Sequence, residues 1–361
     1  MSGTPTALDL AAELGHERVI AMHDPATGLR AVVAIHSWAL GPAVGGTRMR
    51  KYARFDDAVA DALGLSRAMT YKAAYAGFAM GGAKAVIDAD PAAPGKRALL
   101  AAFARAIVEL EGRFVTGGDM GVDHGDVEFM ASISRAFEHV PKRADGGDGA
   151  FGGCGPDASD LTATGVAAGI RSTAARLGLG MAGLSVAVQG LGEVGGRLAP
   201  RLAEAGARLV VADIDAGRAR AVARATGADV VAPEEILAVE CDVLSPSAAG
   251  GVLTAASIER LRCRAICGAA NIPLASAEIG DELHRRGILY TPDFVVSAGG
   301  ILSLHFERGE LDAAATVARV ERIGDDLAEL FTAAEREGLP PFRLAERRVD
   351  EKLAAARRDA G

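Results

Sequence analysis

The sequence predicts an α/β protein with two domains. Apolar strand-like runs alternate with helical patterns along most of the chain, which is typical of α/β folds. A glycine-rich stretch, DGGDGAFGGCGPDAS (145–159), interrupts that alternation, as expected at a domain boundary. A strand, a glycine turn, a helix and a second strand then follow in one short segment, in the form of a right-handed crossover unit.

Length and composition exclude several classes of protein. The chain has 361 residues, of which 50% are hydrophobic and 24% are charged, so it can bury two cores. A net charge of -8 and an aromatic content of 4% argue against a nucleic-acid partner. There is neither a signal peptide nor an apolar run of about 18 residues, so we expect a cytoplasmic protein without a membrane partner. The four cysteines lack zinc-type spacing, so we expect no metal site.

The first domain is predicted at residues 1–145, where strands and helices alternate. Helices are predicted where apolar residues recur at helical spacing, and strands where a short run is mostly apolar. The predicted elements are the strands RVIAMHD and LRAVVAIHS, the helices FDDAVADALGLSRAMTYKAAYAG and ALLAAFARAIVELEG, and the strand FVTGGD, which ends on Asp119.

The second domain is predicted at residues 146–324. The C-terminal helices, 325–361, are charged, are interrupted by Pro340 and Pro341, and are expected to pack back on the first domain. The predicted elements of the second domain are the helix LTATGVAAGIRSTAARLGLG, the crossover unit that starts with the strand SVAVQ, and the strands CDVLSPS, CRAICGAAN and GILYTPDF.

A glycine motif directly after the strand SVAVQ predicts a phosphate-binding turn. Gly190, Gly192 and Gly195 form GxGxxG, with Glu193 and Val194 between the second and third glycines. The first glycine permits a tight turn, the second lets the backbone approach a pyrophosphate, and the third lets the helix pack closely on the strand. The second domain is therefore predicted to be a Rossmann-type dinucleotide-binding domain.

Asp213 closes the next strand and favours NAD as the cofactor. A carboxylate at this position accepts hydrogen bonds from ribose hydroxyls and repels a 2′-phosphate. Arg218 and Arg220 lie close by in the sequence, and we interpret both as exposed helix charges. NAD is thus favoured over NADP.

Lys72 and Lys84 are unusual because their neighbours in MTYKAAYAGFAMGGAKAVI (69–87) are almost all apolar or glycine. Burial of an ammonium is costly unless the group is paired or loses its proton. One alternative is that both side chains extend along apolar surface with their amines in water. Asp119 has a similar setting in VTGGDMG, and its alternative role is to cap the following helix.

Two lysines and a carboxylate facing a nicotinamide suit one reaction well, in which an amino acid gives up its α-hydrogen as hydride and the resulting imine is hydrolysed. One lysine holds the α-carboxylate. The other, its pKa lowered by burial and by the neighbouring cation, is the general base on water, and Asp119 binds the ammonium. The prediction is thus an N-terminal α/β substrate domain and a Rossmann-type domain separated by a cleft.

Several segments, in order over most of the chain, resemble the leucine, valine and phenylalanine dehydrogenase family. The resemblance implies two α/β domains with a cleft, a homo-oligomer, and NAD-dependent, reversible oxidative deamination of an apolar L-amino acid to the 2-oxo acid and ammonia. The segments are HDPATGLRAVVAIHS, LGPAVGGTRM, MTYKAAYAGFAMGGAKAVI, TGGDMG, VQGLGEVGG, CDVLSPSAAGG, GAAN and GILYTPDFVVSAGG.

The resemblance also implies roles for individual residues. Lys84 matches the catalytic lysine, Asp119 the catalytic aspartate, and Lys72 the lysine that binds the substrate carboxylate. The other matches are Gly45 and Gly46 in the substrate pocket, Val44, Gly117, Ile301 and Leu304 around the substrate side chain, Ser297 at the substrate, and Thr162 and Asn271 near the nicotinamide.

The chain departs from the family pattern at four positions. Ala83 stands where the family usually has glycine, so it adds a methyl group beside Lys84, and Ser297 stands where an asparagine normally helps to hold the substrate. Ser247 replaces a frequent cysteine, and Ile272 replaces a frequent second asparagine. None of these changes removes a catalytic group, but a serine reaches less far than an asparagine and offers a hydroxyl in place of an amide.

The residues expected around the substrate side chain are apolar, which disfavours glutamate because its second carboxylate would be buried without a partner. Gly117 resembles phenylalanine-preferring members and Ile301 suits a branched aliphatic substrate, so leucine and valine are slightly favoured, with phenylalanine close behind. One alternative is a dehydrogenase for a larger aromatic amino acid in secondary metabolism. Another is an NAD-binding regulator without catalytic activity.

Overall fold

The computed structural model describes residues 6–134 and 156–359, and the chain divides into two compact units. Unit 1 comprises Met1–Gly155, Glu307–Gly309 and Val349–Gly361, and unit 2 comprises Pro156–Phe306 and Glu310–Arg348. Most of the glycine-rich stretch predicted as the crossover, including the predicted boundary after residue 145, lies outside the described residues, as does Cys154.

Unit 1 contains the two strands and the long helix predicted at its start. Its described elements are α1 (Ala7–Glu13), β1 (Arg18–Asp24), β2 (Leu29–Ser37), β3 (Ala43–Val44), β4 (Thr47–Arg50), α2 (Phe55–Tyr75), β5 (Gly81–Asp88), α3 (Lys96–Ala106), a 3₁₀ turn (Ile107–Leu110), β6 (Phe114–Val115) and α4 (His124–Ala131).

The strands of unit 1 form one mixed sheet in the order β1-β2-β5-β3-β6, with β4 paired to β5. β2 is antiparallel to both β1 and β5, whereas β3 and β4 run parallel to β5 and β6 runs parallel to β3. The predicted strand FVTGGD is wrong in extent because β6 ends at Val115. The following residues pass alongside the loop after β3, where Thr47 N–H donates to the Gly117 carbonyl over 2.8 Å.

Alternation along the central strands separates the two faces of this sheet. Ala83, Ala85 and Ile87 of β5 pack in an apolar cluster with α3 and α4. Val86 of β5 packs with Val32, and with α1 and α2, on the opposite face. Since side chains alternate along a strand, Lys84 lies on the α2 face.

Unit 2 contains the elements predicted for the dinucleotide-binding domain, although the predicted strand GILYTPDF is wrong in extent, because the strand ends at Tyr290 and a helix begins at Asp293. Its elements, with α14 continuing into unit 1, are α5 (Ala158–Arg176), β7 (Ser185–Gln189), α6 (Gly195–Glu204), β8 (Arg208–Ala212), α7 (Ala216–Thr226), β9 (Asp229–Val230), a 3₁₀ turn (Ile236–Ala238), β10 (Glu240–Pro246), α8 (Ala255–Ile258), β11 (Arg262–Ile266), α9 (Ala277–Arg285), β12 (Leu289–Tyr290), α10 (Asp293–Val296), α11 (Gly299–Glu307), α12 (Ala313–Glu321), α13 (Ile323–Glu337) and α14 (Pro341–Asp359).

The sheet of unit 2 is wholly parallel, in the order β12-β11-β10-β7-β8-β9. This is the Rossmann strand order, in which the chain changes direction between β7 and β10. Dinucleotides bind at the carboxyl ends of the strands at that change of direction. The fold class predicted from the sequence is therefore confirmed.

The residues that the structure describes also bear on membranes and metals. Among residues 6–134 and 156–359, no helix combines the length and apolar character that a bilayer span requires. Within the same ranges, no cluster of three or more histidine, cysteine, aspartate or glutamate side chains is arranged to hold a metal ion.

Candidate active site

Lys84 is buried at the centre of unit 1, as its apolar sequence context predicts. Its residue exposure is 7%, and it projects from β5 towards the side of the sheet covered by α2. The α2 helix approaches β5 very closely at Gly82, where an added Cβ would lie 2.1 Å from the backbone nitrogen of Thr70. Gly82, two residues before Lys84 and on the same face of the strand, thus lets the helix cover the lysine.

The partner of Lys84 is Asp119, which follows β6. The Lys84 ammonium forms an ion pair with Oδ2 of Asp119, and Oδ1 of Asp119 accepts a hydrogen bond of 2.6 Å from the Met120 N–H. The next helix, α4, is capped by Asp123 and not by Asp119. Both alternatives to a buried pair, an amine extended into water and a helix cap, are therefore wrong for these two residues.

Burial and neighbouring charges shift the pKa values of both members of the ion pair. Burial lowers the pKa of Lys84; the charge of Asp119 opposes this shift, whereas the guanidinium of Arg48 adds to it. Burial raises the pKa of Asp119, but the positive charges of Lys84 and Arg48 outweigh burial and hold that pKa at about 2. Asp119 is therefore ionised at neutral pH, and Lys84 releases its proton more readily than an exposed lysine.

Two glycines allow the pair to form. An added Cβ at Gly45 would lie 1.6 Å from the carbonyl oxygen of Ala83, so only glycine fits against β5. An added Cβ at Gly46 would lie 3.3 Å from Nζ of Lys84 and 3.1 Å from Cβ of Asp119. Gly46 therefore keeps space open directly beside both reactive groups.

Arg48 is a component of the site that the sequence interpretation missed. Its Nε lies 3.3 Å from Oδ2 of Asp119, and its Nη1 lies 2.9 Å from Oδ2 of Asp61 on α2. The available signal was its position close to the glycine pair in GGTRM, in the segment that forms β4 (Thr47–Arg50). The short strand β4 was not predicted, so this signal could not be used.

Lys72 is also buried, with an exposure of 9%, in the last turn of α2. The end of this helix is held by α14. The Tyr71 hydroxyl donates to the Asp350 carboxylate, and the Lys352 ammonium donates to the Ala74 carbonyl over 2.8 Å. Residues of α14, near the C-terminus, therefore hold the helix turn that carries Lys72.

The remaining predicted residues of unit 1 are apolar and buried. Val44 lies on β3 between Gly82 of β5 and Val115 of β6, and Gly117 follows β6. Ala83, a departure from the family pattern, points into the apolar cluster on the α3 side of the sheet. Its methyl group is therefore on the face opposite the Lys84 side chain and does not crowd the ion pair.

In unit 2, the glycine motif has the geometry of a phosphate-binding turn. Gly190 has φ +88°, and an added Cβ at Gly195 would lie 2.0 Å from the Gly190 carbonyl oxygen. An added Cβ at Gly192 would meet no atom within 4 Å, so its backbone faces open space. The three glycines therefore have the conformational and steric features that the motif requires.

Asp213 lies beside this turn, where it is almost fully buried. It accepts hydrogen bonds from Leu191 N–H, over 2.6 Å, and from Asp215 N–H, over 2.7 Å. Arg218, interpreted from the sequence as an exposed helix charge, is half exposed but also approaches Asp213, with Nη1 3.5 Å from Oδ2.

These residues fit a dinucleotide. The oxygens of three side chains at the ends of β7 and β10 are buried without a hydrogen-bond partner. These oxygens can therefore form hydrogen bonds with a ligand at the strand ends. The three side chains are Gln189, Ser245 and Ser247. A cavity of about 470 Å³ beside the turn is lined by Leu191, Gly192, Glu193, Gly196, Arg197 and Arg218. The side chain of Glu193 is paired with Arg197, and Val194 precedes the first residue of α6.

Ser297 and Thr162 lie near a second glycine pair. Ser297 is 3% exposed, and its hydroxyl donates to the Asp293 carbonyl over 2.6 Å, so this hydroxyl is already engaged. An added Cβ at Gly300 would lie 2.9 Å from Oγ1 of Thr162. The other two predicted residues of this region, Ile301 and Leu304, are buried on α11.

Asn271 and Ile272 follow β11. Ile272, a departure from the family pattern, has φ +51°, and its N–H donates to the Asp293 carboxylate over 2.9 Å. A left-handed backbone is unfavourable for a β-branched residue and is tolerated by asparagine, which explains why an asparagine suits this position.

Replacing Ile272 with asparagine is expected to stabilise the protein by about 1 kcal/mol, because it relieves backbone strain. The measurement is the free energy of unfolding in urea. The matched control is Ile272→Val, which keeps a β-branched side chain and should give no gain. An asparagine variant no more stable than the valine variant would show that this backbone stores no strain.

Two family models match this chain. Residues 16–135 match the family model described as Glu/Leu/Phe/Val dehydrogenase, dimerisation domain, and residues 211–337 match Glutamate/Leucine/Phenylalanine/Valine dehydrogenase. Valine dehydrogenase of Streptomyces virginiae is 40% identical over 95% of this chain and 95% of its own. Leucine dehydrogenase of Thermoactinomyces intermedius is 36% identical over 95% and 92%.

A solved structure extends the comparison to three dimensions. The crystal structure of L-tryptophan dehydrogenase from Nostoc punctiforme matches with a TM-score of 0.74 and 34% identity, covering 97% of this chain and 99% of that one. The matches cover nearly the whole chain in both sequence and fold. The chain therefore belongs to the glutamate/leucine/phenylalanine/valine dehydrogenase family, and it is an amino-acid dehydrogenase that acts on CH–NH2 donors with a nicotinamide dinucleotide.

Proposed function

We propose that this enzyme catalyses the reversible, NAD-dependent oxidative deamination of an apolar L-amino acid, with leucine and valine as the favoured substrates. The observation that carries the proposal is the ion pair of the buried Lys84 with the partly buried Asp119, next to a glycine that leaves room beside both groups. A buried lysine with a lowered pKa is suited to general base catalysis near neutral pH.

The residues have distinct roles in this proposal. Lys72 pairs with the substrate α-carboxylate, and Asp119 binds the α-ammonium and accepts a proton from it. A bound nicotinamide dinucleotide supplies the hydride acceptor. Nζ of Lys84 then takes a proton from the water that attacks the imine carbon, which leads to the 2-oxo acid and ammonia. Gly45 and Gly46 form the wall on which the substrate lies.

The cofactor is held by the glycine turn of unit 2. Gly190, Gly192 and Gly195 accommodate the pyrophosphate at the start of α6, with Glu193 and Val194 within the turn. Asp213 faces the adenosine ribose, while Thr162 and Asn271 lie near the nicotinamide. The negative charge of Asp213 favours NAD over NADP.

Replacing Asp213 with asparagine is expected to raise kcat/KM for NADP relative to NAD by about tenfold, or about 1.4 kcal/mol. The change removes the repulsive charge but keeps an oxygen that can accept the Leu191 N–H, and Arg218 is left to attract a 2′-phosphate. Adding Arg218→Ala should reverse much of the gain. An unchanged preference in Asp213→Asn would show that another group selects the cofactor.

The substrate class follows from the residues proposed around the substrate side chain. Val44, Gly117, Ile301 and Leu304 are all apolar and buried within their own units. They provide no partner for a second carboxylate, so glutamate should be a poor substrate.

A larger aromatic substrate is the second candidate. Its support is the match to L-tryptophan dehydrogenase of Nostoc punctiforme over almost the full length of both chains. Gly117 contributes no side chain and so leaves space for a ring, and Ser297 is smaller than the asparagine usual in the family.

A substrate panel tests both candidates. The enzyme is assayed with L-leucine, L-valine, L-phenylalanine, L-tryptophan and L-glutamate, each with NAD and with NADP, by absorbance of the reduced dinucleotide. The proposal predicts the highest kcat/KM for leucine or valine with NAD. A preference for tryptophan would select the second candidate, and a preference for glutamate would contradict the apolar class.

Assembly and location complete the proposal. A homo-oligomer is supported by the match of residues 16–135 to a dimerisation domain. The cytoplasmic location, the absence of a nucleic-acid partner, and the division into domains at 1–145 and 146–324, with 325–361 packing back, stay predictions.

A further inference from the structure

A second cation, which is permanently charged, lies beside Asp119 in addition to Lys84. Arg48 lies on β4, and its side chain is only 14% exposed. β4 pairs in parallel with β5, with Arg48 opposite Val86, so the arginine projects to the same face of the sheet as Lys84. Its guanidinium contacts Asp119 through Nε and Asp61 through Nη1.

The arginine is itself held by Asp61, which is in turn held by Tyr52. Asp61 on α2 accepts a hydrogen bond from the Tyr52 hydroxyl on the same oxygen that contacts Arg48. Burial and the hydrogen bond to Asp61 raise the pKa of Tyr52, so this hydroxyl stays a donor. The chain Tyr52, Asp61, Arg48 and Asp119 thus ends at the partner of Lys84.

The proposed mechanism requires a second cation beside Asp119. When Lys84 is neutral and able to act as a base, Asp119 loses its ion-pair partner. An ionised carboxylate buried without a counter-ion is costly. Arginine remains charged in proteins, so Arg48 still neutralises Asp119 after Lys84 has given up its proton.

We propose that Arg48 is a positioning residue for the dehydrogenase reaction, which holds Asp119 in place and compensates its charge while Lys84 is neutral. This inference rests on the proposed role of Lys84 as general base. The charged groups that act on Lys84 from the surrounding elements are Asp119 after β6, Arg48 on β4 and Asp61 on α2.

Two substitutions should shift the proton affinity of Lys84 in opposite directions. Arg48→Gln removes a neighbouring positive charge, so the acidic limb of kcat/KM against pH should move up by about one pH unit. Asp61→Asn removes a negative charge and leaves Arg48 less neutralised, so the limb should move down. Arg48→Lys keeps the charge and should hold the limb near its wild-type position, although kcat falls because lysine lacks the rigid fork of donors that contacts both carboxylates.

A second readout does not depend on turnover. The pH dependence of Lys84 acetylation by acetic anhydride is measured by peptide mass spectrometry, with the exposed Lys51 as internal reference. The pH at which Lys84 becomes reactive should rise in Arg48→Gln and fall in Asp61→Asn. The matched control is Arg105→Gln, which removes an exposed arginine of α3 and should leave both readouts unchanged.

The outcomes separate this inference from the proposed function. If the wild-type enzyme turns over amino acids but Arg48→Gln and Asp61→Asn shift neither readout, or shift both in one direction, Arg48 has only a structural role. If no amino acid is turned over while the labelling shifts are opposite, the coupling of Arg48 to Lys84 holds and the proposed function fails.

Discussion

Lys84→Ala is expected to lower kcat for oxidative deamination by roughly 10²–10⁴-fold, the usual contribution of a general base. The variant lacks the amine that takes a proton from the attacking water, and the acidic limb of its pH profile should disappear with it. Asp119 keeps Arg48 as a counter-ion, so unit 1 should still fold. The measurement is steady-state production of the reduced dinucleotide.

Two controls isolate the loss of the base. Lys51→Ala removes an exposed lysine that pairs with Asp88 and should leave kcat close to that of the wild type. Binding of the reduced dinucleotide, followed by its fluorescence, should be unchanged in Lys84→Ala, because the glycine turn belongs to unit 2. Ordinary turnover by the alanine variant would show that the base has been assigned to the wrong residue.

Asp119→Asn is expected to lower kcat by about 10²-fold or more, because an amide cannot accept the ammonium proton. Asparagine retains the shape and an oxygen for the Met120 N–H, so the backbone should be preserved. The charge of Asp119 opposes the lowering of the Lys84 pKa, so its removal should shift the acidic limb of the pH profile to lower pH. The measurement is kcat/KM across this pH range.

The control for Asp119 is four residues further along the chain. Asp123→Asn replaces the cap of α4 with another good capping residue and should leave activity nearly unchanged. Asp119→Glu should not restore activity, since the extra methylene moves the carboxylate away from its present contacts with Lys84 and the Met120 N–H. Near-normal activity in Asp119→Asn, with an unmoved pH profile, would contradict the role given to the carboxylate.

Much of the fold could be predicted because the signals are local. The strand SVAVQ, the glycine motif and Asp213 lie in one continuous segment, and each glycine has a conformational or steric reason for its place. The burial of Lys72 and Lys84 could be predicted equally well, because apolar neighbours in a helix and in a strand leave little polar surface for an amine.

Arg48 could not be predicted for the opposite reason. Its role depends on the parallel pairing of the four-residue strand β4 with β5, and on the approach of Asp61 from a separate helix. Neither the register between two distant strands nor the rotation of α2 over the sheet is encoded in a local pattern. The left-handed backbone of Ile272 could not be predicted either, because isoleucine rarely adopts this conformation.

The most direct test of the central claim, that Lys84 and Asp119 serve hydride removal from an amino acid, is an isotope measurement. The enzyme is incubated with NAD and the best amino acid of the panel, deuterated at Cα, and the products are analysed by mass spectrometry. The account predicts reduced dinucleotide carrying the deuterium, 2-oxo acid and ammonia in equal amounts. Tight binding of the dinucleotide with no labelled product from any amino acid would contradict it.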